Sequence, residues 1–234
     1  MRIPTSENPR FLPASDQSLI IYFGERITPA AHESVVRLLR LMERDPVEGV
    51  RNLHPAYCSV LVKFDASRWT HGQLEAVLRA YLRRLDSVAL TVPREVEIPV
   101  CYGGELGPDL AEVCRLHGIS PARAIELHTS GSYLVYFLGF VPGFAYLGEL
   151  PEELSTPRLA TPRRKVAAGS VGIAGNQTGV YPFATPGGWR LIGRTPRKMF
   201  QAQGAGSSVL SIGDRVRFVA ISPGRFVELE MAWG

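Results

Sequence analysis

The reading of the fold turns on GFVPGFAYLGELP (139–151), TPRRKVAAGSVGIAGNQTGVYP (161–182) and TPGGWRLIGRTP (185–196). Glycine reaches backbone angles that residues with a Cβ avoid, and proline fixes φ, so this stretch has a dictated shape without regular helix. Phe140, Phe144, Tyr146, Tyr181, Phe183 and Trp189 are set among that punctuation. Flexible linkers are small and polar, so the aromatics argue for ordered loops and short strands around a pocket. Three polar sets lie inside: Arg163-Arg164-Lys165, Asn176-Gln177-Thr178 between Gly175 and Gly179, and Arg194-Thr195 after Leu191-Ile192. Glycine flanks admit close approach of a ligand, and amide and hydroxyl groups orient a small polar molecule. The same residues also suit a plainer arrangement, in which Gln177 and Thr178 complete turns and the arginines are solvated.

Outward from this stretch the pattern divides. Ser18–Gly24 reads as a strand, Thr28-Pro29 opens a helix, 50–53 and 57–64 read as strands, and Thr70 to Gln73 is a capping-box pattern. With Ser87–Val92 as a returning strand, the order β-α-β-β-α-β is the ferredoxin-like split βαβ. That places a small domain at 12–93. Residues 94–101 form the next strand. Short helices follow at 108–117, ended by Gly118, and from Ser120-Pro121 to about 127. Five strand segments then come between Gly and Pro turns: SYLVYFLGF, GSVGIAG, GWRLIGRTP, DRVRFVAI and RFVELEMA. Many short strands after two helices predict a closed β-barrel over 94–234. The fold class is α+β, mainly β.

The 234 residues, 45% hydrophobic and 21% charged, are ordinary globular values, with disorder expected only in the polar, Pro-rich first dozen residues. A formal charge of +4, spread as scattered arginines, gives no support to nucleic-acid binding. Three cysteines without framework spacing point to free thiols in a reducing compartment. No signal region and no apolar run of about 20 residues is present, so a cytoplasmic protein without membrane contact is expected. The sequon at Asn176 is then a coincidence.

No GxxxxGK[ST] loop occurs, and the glycines of 169–175 have the wrong spacing for a dinucleotide fingerprint. Cys114-x-x-His117 puts two ligand types on one helical face, but Cys114 fits a buried position and His117 complements the helix dipole, so no metal is expected. No GxSxG elbow is present for Ser132 or any other serine. His128 stands just before a pocket-forming strand, as a ligand contact or a turn cap. Arg163, Arg194, Gln177, Thr178 and Tyr181 remain: a guanidinium fork for a carboxylate, an amide and a hydroxyl for a lactam edge, and an apolar wall with a polar tip. No Asp or Glu lies within 161–196, so no local general base is visible. The catalytic residues stay unassigned, and another chain is expected to bring nucleotide and base.

The runs LGFVPGFAYLG, AGSVGIAGNQTGVYP and PGGWRLIGRTP closely resemble the allophanate hydrolase subunit 1 family, which includes the kinase A inhibitor-like proteins and the B subunit of bacterial 5-oxoprolinase. The resemblance extends to 94–110, 127–136 and 213–222 and thins upstream, where LHPAYCSVLVKFD (53–65) matches best. Two departures are Ala145 and Ala167, where the family usually has Pro. The resemblance implies a cyclophilin-like barrel. It also implies the B subunit of an ATP-dependent 5-oxoprolinase, converting 5-oxo-L-proline to L-glutamate with companion A and C subunits. ATP would be used by the assembled complex rather than held by this chain. In that role Arg163 and Arg194 would hold anionic groups, and Gln177, Thr178, Tyr181 and His128 would line the substrate site. The same family leaves open a regulator of a sporulation-type sensor kinase and a carboxyltransferase-like subunit of urea degradation.

Overall fold

A computed structural model describes residues 9–201 and 208–233. Contacts divide the chain into two units between Val92 and Pro93. In the first, β1 (Arg10–Ser15) turns through Asp16 and Gln17 into β2 (Ser18–Tyr22). There follow α1 (Pro29–Arg44), β3 (Val50–Pro55), β4 (Ser59–Phe64) and α2 (His71–Leu82), and the antiparallel sheet runs β1-β2-β4-β3. Leu19 and Ile21 lie opposite Val62 and Val60. With Phe64, Val35, Leu38, Leu74 and Leu78 they are at most 1% exposed. The helix starts are as the sequence predicts: the Thr28 hydroxyl accepts from Ala31 N–H, and Thr70 and Gln73 form the capping box.

One expected strand is absent and another takes its place. Residues 88–94 form no strand, and Leu85–Ser87 is a 3-10 turn. The carbonyls there are claimed by arginines of α1: Arg37 donates to Leu85 and Val88, and Arg40 to Ala89. The open edge of β2 is filled instead by β1, from a stretch that reads in the sequence as polar terminus. An edge strand needs no apolar alternation and tolerates Pro13. Its side chains are held by cation–π contacts, Arg10 at 5.4 Å over Tyr22 and Arg79 at 4.6 Å over Phe11. Residues 1–8, also expected to be disordered, lie outside the described residues.

The second unit contains β5 (Glu95–Tyr102), α3 (Leu110–His117), α4 (Pro121–Ser130), β6 (Tyr133–Leu138), β7 (Ala145–Gly148) and β8 (Arg163–Val166). It continues with β9 (Ser170–Ala174), β10 (Gln177–Val180), β11 (Thr185–Gly187), β12 (Arg190–Arg194), β13 (Arg215–Ala220) and α5 (Pro223–Trp233). Seven strands close a barrel in the order β10-β7-β6-β13-β5-β12-β9, sealed by the β9–β10 hairpin, while β8 and β11 pair separately. Strand β13 runs parallel to β5 and sets Val216 against Val96 and Phe218 against Ile98. With Val100, Val135, Leu147, Val171, Ile173, Val180 and Ile192 they belong to one buried cluster, which α3 and α4 join through Val113, Ala124 and Leu127. The molecule is mixed α and β, mainly β, as expected.

RFVELEMA is helical rather than a strand. Ser222 caps the turn by accepting from Arg225 N–H, Pro223 opens the helix, and Arg225 pairs with Glu228 one turn on. Only Phe226 is buried there, so no sheet partner enforces a period of two. The strands β7, β8 and β10, four residues each, are too short or too polar to stand out in the sequence.

Gly169 sits where β9 begins. Its φ is +79°, and a Cβ would lie 2.3 Å from the Thr195 carbonyl oxygen, which leaves no room for adjustment. Gly169→Ala is therefore expected to cost about 2–4 kcal/mol from backbone strain and overpacking together. Thermal denaturation checks this, and an unchanged Tm would contradict the local geometry.

Candidate functional site

Strand alternation splits the Asn176-Gln177-Thr178 triplet. On β10, Thr178 faces the barrel interior opposite Ile173, whereas Gln177 points to the other face opposite Ala174. Thr178 is fully buried, and its Oγ1 lies 3.1 Å from the Gly172 carbonyl oxygen and 2.9 Å from His128 Nε2. A hydroxyl has one proton, and the carbonyl can only accept, so Thr178 donates to Gly172 and must accept from His128 Nε2–H. His128 Nδ1 is then the bare nitrogen, and it accepts from the Tyr102 hydroxyl at 2.7 Å. The result is one directed relay, Tyr102 to His128 to Thr178 to Gly172. The imidazole stacks on Phe218 at 4.4 Å, and Tyr133 donates to the His128 carbonyl. Complete burial lowers the His128 pKa to about 3, so the ring is neutral. His128 and Thr178 thus meet each other within the barrel, and both side chains are fully buried. Tyr102, not singled out in the sequence, completes the relay.

On the opposite face of the hairpin, Gly172 and Gly179 lie directly across from one another. A Cβ on Gly172 would be 3.1 Å from Trp189, and one on Gly179 would be 3.2 Å from both Phe144 and Trp189. The bare backbone is the floor for an aromatic cluster. Phe144 meets Tyr146, Tyr181 and Trp189 edge-on, with centroids 5.0, 5.3 and 5.4 Å away. Tyr181 is 2% exposed, and burial raises its pKa. Expected from the sequence as a pocket wall, Tyr181 lies instead beneath the surface. Gln177, half-buried, shares this face. Alongside, Val141 N–H bonds the Gly139 carbonyl across Phe140, a tight turn that holds Phe140 at φ +69° and leaves the residue 60% exposed.

The arginines have separate commitments. Arg163 Nη2 donates to Asp109 Oδ1 at 2.6 Å, while Asp109 Oδ2 accepts from Leu191 N–H at 2.7 Å. Nη1 of Arg163 is enclosed, with no acceptor among the described residues. Arg190 pairs with Glu112. Arg194 Nε donates to the Ala168 carbonyl at 2.8 Å, tying the loop before Gly169. Arg158 lies over the Trp189 ring at 6.0 Å. Asp109 and Glu112 correct the sequence-based picture of a stretch without carboxylates. They come from the start of α3, and Asp109, in the position of a helix cap, makes no cap bond. His117 bonds Thr156, and among the described residues no group of three His, Cys, Asp or Glu side chains is close enough to hold a metal ion. Ser132 is exposed while His128 is buried, so the two form no nucleophile–base pair.

Comparison with known proteins fits this fold. The model of the carboxyltransferase domain, subdomain C and D, matches residues 9–210, and the chain belongs to that family. It is 43% identical over 217 residues to the B subunit of 5-oxoprolinase from Bacillus subtilis (strain 168), covering 88% of this chain and 90% of that protein. Among solved structures, TTHA0988 superposes with a TM-score of 0.76 at 36% identity over 88% of this chain, which spans 40% of that one. The urea amidolyase of K. lactis shares the fold, with a TM-score of 0.79 at 18% identity, over 99% of this chain and 16% of its own.

The buried imidazole has a pH signature. Unfolded, His128 titrates near 6.5; folded, near 3. The unfolded chain therefore binds the extra proton below pH 6.5, so stability is full above pH 7 and falls as pH drops towards 3. By pH 5 His128 accounts for about 2 kcal/mol of that loss. His32, lowered to about 4 by burial, acts in the same sense in the first unit. His128→Gln is expected to cost about 1–3 kcal/mol at pH 7 through the disturbed hydrogen bonds. Urea denaturation should show the gap to wild type narrowing between pH 7 and pH 5, and a gap independent of pH would contradict a neutral, buried ring.

Proposed function

We propose that this chain is the B subunit of an ATP-dependent 5-oxoprolinase, which opens the lactam of 5-oxo-L-proline to give L-glutamate. The observation that carries the reading is the 43% identity to a 5-oxoprolinase B subunit across nine tenths of both chains. Such a subunit works with companions, and we take these to be the A and C subunits of the same enzyme. The alternatives, a kinase regulator or a urea-processing subunit, are not favoured: the likeness to the urea amidolyase, at 18% identity, is one of fold.

The geometry agrees with a supporting rather than a self-sufficient chain. Around the aromatic face the carboxylates of Asp109 and Glu112 are each held by an arginine. His128 is neutral and occupied on both nitrogens. None of these groups stands ready as a general base. In our reading ATP, bound elsewhere in the complex, activates the amide oxygen by phosphorylation, and this subunit holds the substrate. Of the six residues marked in the sequence, Gln177 remains at the surface of the site. Arg163 and Tyr181 brace it, His128 and Thr178 stabilise the hairpin from inside, and Arg194 fixes the neighbouring loop. We take the two units as domains, 12–93 and 94–234, of a cytoplasmic protein. No helix among the described residues is long and apolar enough to cross a membrane.

The chain alone is expected to show no 5-oxoproline-stimulated ATP hydrolysis. Co-expressed with its companions it should co-elute with them on size exclusion and release glutamate from 5-oxoproline only when ATP is present. Turnover by the isolated chain, or a co-purified complex that releases no glutamate, would overturn the reading.

A further inference from the structure

Most of the arginines beside the aromatic face of the β9–β10 hairpin are committed to protein partners. Arg163 is engaged by Asp109, Arg190 by Glu112 and Arg194 by the Ala168 carbonyl. Arg158 makes no hydrogen bond or ion pair among the described residues; it is exposed, and its guanidinium rests over the Trp189 ring at 6.0 Å. Such a contact at an exposed site is weak, so the guanidinium is easily drawn to an anion.

What lies beneath it is flat and apolar. Trp189 is 5% exposed, covered in part by Arg158 itself. Tyr146, half-buried, stands 6.0 Å from Trp189 at 71° and stacks on Phe137 at 4.4 Å. Register places Tyr146 of β7 beside Gly179 of β10, and Gln177 one position further along the same face. Arg158 is also close enough to Tyr146 and Tyr181 for its charge to draw both phenols downward against the effect of burial.

We propose that Arg158, Trp189, Tyr146 and Gln177 form a binding site for a small carboxylic acid carried on a flat ring. The guanidinium fork takes the carboxylate in two parallel bonds. As Arg158 swings to it, the indole is uncovered and receives the ring, with Tyr146 at its side and the Gln177 amide in reach of a ring carbonyl or N–H. One uncommitted guanidinium over the rings matches one negative charge. Identifying the acid as 5-oxoproline rests on the function proposed above; the site itself does not.

Calorimetric titration of the full chain tests this with three probes: 5-oxoproline, furan-2-carboxylate as a ring acid without a lactam, and 2-pyrrolidinone as the lactam without a carboxylate. Arg158→Ala should weaken binding of the acids on the order of tenfold to a hundredfold, leave 2-pyrrolidinone unaffected and leave Tm unchanged, because the side chain is exposed. Arg158→Lys should recover part of the loss. Furan-2-carboxylate bound through Arg158 with no binding of 5-oxoproline would support the site and count against the proposed substrate. A complex that turns over 5-oxoproline with kcat/KM and acid binding unchanged in Arg158→Ala would overturn the site and leave the proposed function standing. Absence of saturable binding of both acids would also overturn the site.

Discussion

Thr178 places a hydroxyl inside the barrel where its partner across the ladder, Ile173, and its neighbour Val180 are apolar. Burying such a group without a hydrogen bond is costly, so the hydroxyl dictates what surrounds it. It donates to the Gly172 carbonyl on the facing strand and accepts from His128 on α4, which in turn engages Tyr102 at the end of β5. Two further elements, α4 and β5, are thereby locked to one hairpin by bonds with a fixed direction. The same alternation that turns Thr178 inward turns Gly179 outward, opposite Gly172, and those two glycines give the aromatic cluster its floor.

The two faces of the hairpin then divide the work. Inside, the side chains from Tyr102 to Thr178 satisfy one another and the imidazole is kept neutral, which suits support and not proton transfer at pH 7. Outside, Trp189 and Tyr146 form the aromatic face, Arg163 and Arg190 are paired with carboxylates, and Arg158 lies over the Trp189 ring with no hydrogen bond or ion pair among the described residues. The pairing of Arg163 with the buried Asp109 offsets the cost of taking both charges out of water, so it matters more for where it leaves the side chains than for net energy. The pairing of Asp109 and Glu112 with arginines and the neutrality of His128 agree with a supporting subunit of an enzyme complex, the role that the likeness to a 5-oxoprolinase B subunit supports.

Much of this is legible in the sequence, and the exceptions have physical causes. Glycine, proline and aromatic residues over 139–196 mark the barrel and its site, because that punctuation is local. The split of Gln177 from Thr178 is not visible, since a four-residue polar strand shows no periodicity until its neighbours are known. Asp109 and Tyr102 join their partners through the topology of α3 and β5, with Tyr102 lying 26 residues from His128 and Asp109 lying 54 and 82 residues from Arg163 and Leu191, and no spacing rule reaches that far. The strand expected at 87–92 fails because arginines of α1 take its carbonyls. The helix at 223–233 escapes notice because alternation in RFVELEMA imitates a strand that no neighbour requires.

The division between a supporting interior and a binding exterior is tested most directly by nitrogen-resolved NMR of the chain at pH 6, before and after addition of 5-oxoproline. The account predicts that His128 is neutral with its proton on Nε2 and does not change with ligand, while the Trp189 indole N–H shifts to saturation. A His128 ring that is protonated, that carries its proton on Nδ1, or that responds to the ligand while Trp189 stays unmoved would contradict it.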